Sequence, residues 1–219
     1  MLTLGLDTAT DDCAVALLVG DDAVFEATIR VPRSHGRRLA PLVAEALAHI
    51  DRQPGELGLV AVSAGPGSYT GLRIGTSTAK GLALATGAAL VAVPTLAALA
   101  SGALGRVAVV LPSRRGEVYA AVVDGGAEVG PAAALAVDDV AGWLPPDLDG
   151  VGGPGADRLP GLRPDLPRVD LAASGAAVAR LGRRLAEARG PDDPAALEPL
   201  YLKPVAASRP RAIFGARSP

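Results

Sequence analysis

Apolar runs separated by polar turns open the chain and predict three β-strands. Positions 2–6 and 14–19 are apolar, and positions 24–30 alternate more loosely between apolar and polar side chains. The polar stretch from Asp7 to Asp12 links the first two runs, and Asp21-Asp22 marks a turn between the second and the third. We therefore expect a β-hairpin followed by a third strand at the start of the fold.

A helical period comes next. Six apolar residues recur at i, i+3, i+4, i+7, i+8 and i+11, namely Leu39, Leu42, Val43, Ala46, Leu47 and Ile50. After Pro54-Gly55 the pattern predicts a strand over 57–63, a helix to about Ala85, a strand over 88–93 and a helix start capped by Thr95. Strands and helices thus alternate, which is typical of an α/β fold.

The pattern of the first half begins again after Gly102. Strands are predicted over 107–111 and 117–123 with a turn between them, so a β-hairpin opens each half of the chain. We expect two related α/β lobes, residues 1–103 and 104–203, and a basic flexible tail over 204–219. A last helix over 174–188 belongs to the second half by sequence and can return to the first lobe.

Composition limits what the chain can bind and where it resides. Of its 219 residues, 49% are hydrophobic and only 3% aromatic, so the core must be aliphatic. The net charge of −2 argues against a protein that grips a nucleic-acid backbone unaided. A single cysteine, Cys13 in an apolar run, fits a reducing cytoplasm and a buried position. No charge occurs from Gly81 to Gly105, but glycines and Pro94 break this stretch, so we expect no membrane span.

The block from Gly65 to Gly75 is the most informative motif. Pro66-Gly67 suits the centre of a type II turn, and Ser68 or Thr70 can cap the following helix. A glycine-rich turn before a helix can present amides to phosphate, but no Gly-Lys-Ser/Thr follows, so this is not a P-loop. The motif by itself favours a structural turn over a phosphate site.

Small residues then recur every four positions, at Gly67, Gly71, Gly75 and Ala79. Each glycine costs about 1 kcal/mol of helix propensity relative to alanine. Close packing against another helix would offset this cost. That neighbour is either the 39–50 helix of the same chain or a helix of a partner protein, and the spacing leaves both open.

The chain resembles the TsaB (YeaZ) family in five segments that stand in the family's order. They are Leu6–Thr10, Pro32–His35, Gly65–Gly75, Arg114–Tyr119 and Glu198–Leu202. The resemblance implies a two-lobed, actin-like ATPase (ASKHA, ribonuclease H-like) fold with mixed sheets flanked by helices. It also implies a cytoplasmic accessory role beside TsaD, a related catalytic subunit, and TsaE, an ATPase. Together they transfer threonylcarbamoyl to N6 of the tRNA adenosine 3′ of the anticodon (t6A).

The resemblance implies which partners the chain has, and the patterns of the two helices predict where those partners bind. A TsaD-type subunit, or a second copy when the chain is alone, is expected to bind the two helices, and tRNA is contacted only indirectly or weakly. The expected interface residues are Leu39, Leu42, Val43, Ala46, Gly71, Ile74, Gly75, Thr78 and Leu82. Two alternatives remain: a small-molecule kinase of the same fold, which would need two intact phosphate loops, and a stand-alone homodimeric adaptor.

No catalytic set is predicted. Relatives that do chemistry hold a metal with two histidines four residues apart, and Thr95 and Leu99 occupy the matching positions here. Ser68 has no identifiable base, so a peptidase is not expected either. We therefore expect a chain without catalytic or metal-ligating residues of its own.

Nucleotide binding is the harder question. Asp7, Thr8 and Thr10 can form a degenerate phosphate loop, in which Asp7 would place a magnesium-bound water, although a capped hairpin turn is favoured. In the second loop Pro112 has no N–H to donate, which argues against tight ATP binding. The loop from Gly152 to Gly155 is favoured as a surface turn over an adenosine site. We expect no intrinsic cofactor, and any weak ATP or ADP binding at the partner interface.

Overall fold

The computed structural model describes residues 1–30, 32, 34–159 and 165–203, and these residues form two β-sheets. The predicted tail over 204–219 lies outside the described residues. The first sheet has the strand order β3-β2-β1-β4-β5. Its strands are β1 (Leu2–Asp7), β2 (Asp12–Val19), β3 (Asp22–Arg30), β4 (Leu57–Ser63) and β5 (Ala89–Val93).

The second sheet has the order β11-β10-β6-β7-β8, and β9 also pairs with β7. Its strands are β6 (Arg106–Pro112), β7 (Glu117–Asp124), β8 (Ala127–Glu128), β9 (Ala133–Ala136), β10 (Gly150–Gly152) and β11 (Arg168–Val169). In each sheet the first two strands form an antiparallel hairpin, and a later strand pairs in parallel with the first strand of that hairpin, β4 with β1 and β10 with β6. The mixed-sheet α/β fold expected from the sequence is confirmed.

Within the described residues, five α-helices flank the sheets. They are α1 (His35–His49), α2 (Tyr69–Thr86), α3 (Thr95–Leu99), α4 (Val140–Trp143) and α5 (Gly175–Arg189). The helices α1 and α2 bury the apolar side chains on one face of the first sheet, whereas α5 packs on its other face. The first lobe is therefore a three-layer sandwich, and its sheet is apolar on both sides, as parallel strands covered by helices require.

The amphipathic stripe predicted for α1 is confirmed, because Leu39, Leu42, Val43, Ala46 and Leu47 are buried against the first sheet. Burial of such side chains contributes about 1.5–3 kcal/mol for each large aliphatic group. The helix therefore forms because its apolar face meets the sheet.

The start of α3 corrects one prediction. Pro94, not Thr95, is the residue before the first helical turn, and no side chain caps this helix. The Thr95 hydroxyl instead accepts a hydrogen bond from the backbone N–H of Gly65 at 3.0 Å. The Thr95 hydroxyl therefore binds the loop after β4 and does not cap α3.

The two lobes meet at an apolar junction. Leu96 and Leu99 of α3 share a core cluster with Val107 and Val109 of β6 and with Ala14 of β2. None of the helices within the described part of the chain has the length and apolar character needed to cross a bilayer. The described fold is thus two α/β lobes joined through a small hydrophobic core.

Candidate functional site

A cleft of about 900 Å³ opens between the two lobes. Most of the lining residues lie in loops at the ends of strands. The lining residues are Ala9–Asp12, Arg30, Gly67–Tyr69, Leu111–Arg114, Tyr119, Pro154, Asp157, Arg158, Tyr201 and Lys203. The cleft thus brings together the three loops that the sequence singled out: the β1–β2 turn, the β6–β7 turn and the loop after β10.

Asp7 stands at the end of β1 but faces inward rather than into the cleft. Its carboxylate accepts hydrogen bonds from the Ala9 N–H at 2.8 Å and from the Ser63 hydroxyl at 2.7 Å, and the side chain is buried. Burial raises the pKa of Asp7 above its ordinary value, while the two hydrogen bonds lower it in part. Both carboxylate oxygens of Asp7 therefore accept hydrogen bonds inside the protein, whereas the predicted magnesium role would need this carboxylate to face the cleft.

The two threonines of the same loop are also engaged. The Thr8 hydroxyl is buried and donates to the backbone oxygen of Gly71 at 2.8 Å. The Thr10 hydroxyl accepts from the Asp12 N–H at 3.1 Å, in a local turn, while the residue lines the cleft. Of the three residues expected in a phosphate loop, only Thr10 reaches the cleft, and the arrangement is that of a capped hairpin turn.

The glycine block forms the opposite side of this turn. Ser68 caps α2, because its hydroxyl accepts from the Gly71 N–H at 3.2 Å, as the sequence suggested. The left-handed backbone angle falls on Gly65, with φ of 119°, and not on Gly67, so the expected type II turn at Pro66-Gly67 is wrong. A Cβ on Gly65 would stand 2.5 Å from the Leu200 oxygen, and this close approach explains the glycine.

The small-residue stripe of α2 packs inside the chain. A Cβ on Gly71 would overlap the backbone oxygen of Thr8, and a Cβ on Gly75 would overlap the Thr8 hydroxyl. The expectation that these two glycines admit the backbone of a partner is therefore corrected: the space is filled by the β1–β2 turn of the same chain.

The expected interface residues of α1 also need correction. Leu39, Leu42, Val43 and Ala46 are buried in the first-lobe core, because the sheet needs their apolar surface. On α2, Ile74, Thr78 and Leu82 are half-buried and spaced by four residues, so they keep part of their surface on one helix face. These three remain available to a partner.

A second stripe, missed by the sequence reasoning, lies beside them on α1. Gly36, Ala40 and Ala44 are exposed and spaced by four residues. A Cβ on Gly36 would stand 3.7 Å from the Ile74 side chain, so the two stripes adjoin. We call Gly36, Ala40, Ala44, Ile74, Thr78 and Leu82 the α1–α2 face. The signal was present as a four-residue spacing, but the stronger apolar stripe of α1 concealed it.

The two positions that match the metal-binding histidines of catalytic relatives are buried in this chain. Thr95 and Leu99 are buried, and the Thr95 hydroxyl is held by Gly65. His35 is buried, and its Nε2 lies 3.2 Å from the backbone oxygen of Asp12. His49 is exposed and lies edge-on to Phe25, with 5.5 Å between the ring centroids. Both histidines thus contact strands of the first sheet, His35 at β2 and His49 at β3.

All three tyrosines of the chain line the cleft. Tyr69 and Tyr201 lie 5.1 Å apart between ring centroids, and Arg73 donates to the Tyr69 hydroxyl at 2.6 Å. Partial desolvation, followed by the nearby Tyr69, raises the pKa of Tyr201, although Arg73 opposes the shift. The tyrosine pair thus fixes the C-terminal segment to the first turn of α2.

Comparison with known proteins agrees with this geometry. The model of the family described as TsaD, tRNA N6-adenosine threonylcarbamoyltransferase, matches residues 30–214. The tRNA threonylcarbamoyladenosine biosynthesis protein TsaB of Escherichia coli K12 is 38% identical over 125 residues, which cover 54% of this chain and 53% of that protein. The match therefore spans about half the length of this curated relative.

Two further matches extend over nearly the whole chain. An uncharacterized protein of Mycobacterium tuberculosis H37Rv is 34% identical over 206 residues, covering 91% of this chain and 90% of its own. The structure of YeaZ from Pseudomonas aeruginosa superposes with a TM-score of 0.77 at 28% identity, over 92% of this chain and 99% of that one. The chain therefore belongs to the TsaD family, and within that family it is similar to the TsaB (YeaZ) proteins.

Proposed function

We propose that this chain is a non-catalytic, activating subunit of the assembly that transfers threonylcarbamoyl to N6 of the tRNA adenosine 3′ of the anticodon. One observation carries the proposal: a chain similar to TsaB over 54% of its length, and to the YeaZ structure over 92%, has buried Thr95 and Leu99 where a catalytic relative would present a metal-binding pair. A hydroxyl already hydrogen-bonded to Gly65 and a leucine cannot replace two imidazoles.

The partner in this proposal is a TsaD-type catalytic subunit, which binds the α1–α2 face. Three features of the face support docking of a helix pair. It is formed by two adjacent helices, its α1 stripe carries only glycine and alanine, and Ile74 and Leu82 leave apolar surface between the helices. Small side chains let a facing helix approach closely, and the apolar residues between them supply burial.

A partner of the same fold would bring the same two helices and form a pseudo-symmetric four-helix contact. Without that partner, two copies of this chain can use the face in an isologous dimer. A standard interface buries about 800 Å² on each side, which two helices of this length can supply. The proposal also includes help in recruiting a TsaE-type ATPase to the assembled pair.

The test is to reconstitute the modification reaction from purified components with this chain present or left out. Purified TsaD-type and TsaE-type subunits, the threonylcarbamoyl donor, ATP and substrate tRNA are combined with and without this chain, and modified adenosine is measured by mass spectrometry. We expect modification only when the chain is present, and no turnover by the chain with donor and tRNA alone. Turnover by the lone chain, or a yield that does not depend on it, would show that the proposed role is wrong.

A further inference from the structure

The last described segment of the chain, Leu197–Lys203, starts on the first lobe. Leu197 is buried in the core beneath α1 and α2. The Leu200 N–H then donates to the backbone oxygen of Ala64 at 2.7 Å, and the Leu200 oxygen lies against Gly65 where no Cβ could fit. Main-chain contacts therefore fasten this segment to the end of β4.

The same segment ends on the second lobe. Tyr201 packs on Tyr69 at the start of α2, and two residues later the Lys203 ammonium lies 2.6 Å from a Glu117 carboxylate oxygen on β7. The Lys203 and Glu117 side chains are only 24% and 31% exposed. Because the pair is partly buried, salt screens it less than it would screen a fully exposed pair.

The position of this contact relative to the cleft is informative. On the side of α3 the lobes meet through an apolar cluster, in which Leu96 and Leu99 lie with Val107 of β6. Tyr201 and Lys203 instead line the open cleft. Two packed lobes with a junction on one side and an open cleft on the other have the arrangement of a hinged pair.

We propose that Leu197–Lys203 is a latch that holds the two lobes in one relative orientation across the cleft. The Lys203–Glu117 ion pair is its releasable contact, whereas Leu197 and Leu200 remain anchored on the first lobe. Removing the ion pair therefore allows the second lobe to swing on the α3 junction. The latch does not depend on the proposed role in tRNA modification, because it concerns the isolated full chain.

Distance measurement between two spin labels tests the latch. Nitroxides are placed through Asp22→Cys at the β2–β3 turn and Asp138→Cys in the second lobe, both exposed positions. The native Cys13 is buried, and burial raises its pKa to about 11, so it does not compete for the label. In the parent chain we expect a single narrow distance distribution in double electron–electron resonance.

Lys203→Ala and Glu117→Gln should each broaden this distribution or add a second distance. Glu117→Gln does so without leaving an unpaired buried carboxylate, and thermal melting checks that each variant is folded. Exchanging the charges, with Lys203→Glu and Glu117→Lys together, should restore the narrow distribution. Lys80→Ala, which removes the other lysine of the chain, is the matched control and should leave it unchanged.

Two outcomes would overturn the latch. If Lys203→Ala, Glu117→Gln and Tyr201→Ala all keep the parental distribution, the lobes are held without the segment. If Lys80→Ala broadens the distribution as much as Lys203→Ala, the effect does not come from the ion pair.

Discussion

Two glycines of α2 allow the internal packing of this helix to be measured. Gly71 and Gly81 are both helical, but they have opposite surroundings. A Cβ on Gly71 would overlap the Thr8 backbone oxygen, whereas a Cβ on Gly81 would meet no atom within 4 Å. Replacing each glycine by alanine therefore adds the same methyl group in the same helix, once against the β1–β2 turn and once in open space.

The expected free energies differ in sign. Gly81→Ala should stabilise the fold by up to about 1 kcal/mol, because alanine is the better helix former. In Gly71→Ala, overpacking typically costs about 1–3 kcal/mol. Moving the turn away also weakens the hydrogen bond from the Thr8 hydroxyl to the Gly71 oxygen, which contributes about 1 kcal/mol. After the gain of about 1 kcal/mol in helix propensity is subtracted, Gly71→Ala should lower the free energy of unfolding by about 1–3 kcal/mol.

Thermal unfolding of the full chain is the assay. For a chain of this size about 1 kcal/mol corresponds to roughly 2–4 °C in Tm. Gly81→Ala should melt a few degrees above the parent and Gly71→Ala at least about 2 °C below it. If Gly71→Ala were as stable as Gly81→Ala, Gly71 would not be packed against Thr8. The α2 glycines would then be available to a partner and would belong to the α1–α2 face.

Three further predictions concern the same lobe. Gly75→Leu should destabilise the monomer itself, as measured by urea unfolding, because its side chain meets the Thr8 hydroxyl; a folded variant of parental stability would contradict this. The raised pKa of Asp7 favours its protonated form in the folded state, so its contribution is favourable at low pH and is lost as pH rises through the folded pKa. In Asp7→Asn the amide oxygen can still accept from the Ala9 N–H, and the amide NH2 can donate to the Ser63 hydroxyl. This variant should therefore gain Tm relative to the parent as the pH rises above about 4, whereas a difference in Tm that does not change with pH would contradict the raised pKa of Asp7. The Cys13 thiol, buried and with its pKa raised to about 11, should resist a thiol reagent until the chain is denatured, whereas rapid reaction of the native chain would contradict its burial.

Local patterns predicted the elements better than their long-range contacts. The α1 stripe from Leu39 to Leu47 was readable, because a buried helix face repeats with the helical period and needs no knowledge of its neighbour. Ser68 as the cap of α2 was readable for the same reason. In contrast, the partner of Gly71 is Thr8, 63 residues earlier in the chain. A glycine spacing shows that something approaches closely but cannot show what it is.

The candidate site illustrates the same limit. The sequence predicts loops at Thr10, at Pro112 and from Gly152 to Gly155, but only the folded lobes bring these loops to one cleft. Lys203 carried no local pattern, so its ion pair with Glu117 was not foreseen. The buried face of a helix can be predicted from sequence because its apolar residues repeat with the helical period. A contact made by a single side chain depends on how the lobes pack.

One substitution tests the proposed partner contact most directly. Ala44 is the last exposed residue of the α1 stripe, so Ala44→Arg should leave the monomer folded while placing a long charged side chain in the α1–α2 face. Ala188→Arg makes the same change at an exposed position of α5, on the opposite side of the first sheet. Equilibrium binding of each full-length variant to the TsaD-type subunit is measured by titration calorimetry, with tRNA modification by the assembly as a second readout.

We predict that Ala44→Arg weakens binding at least about tenfold, equivalent to about 1.4 kcal/mol. Modification should fall with it when the subunits are diluted to near the parental Kd, and Ala188→Arg should bind and support modification like the parent. If Ala44→Arg is folded and binds the TsaD-type subunit with parental affinity, the α1–α2 face is not the contact on which the proposed function rests.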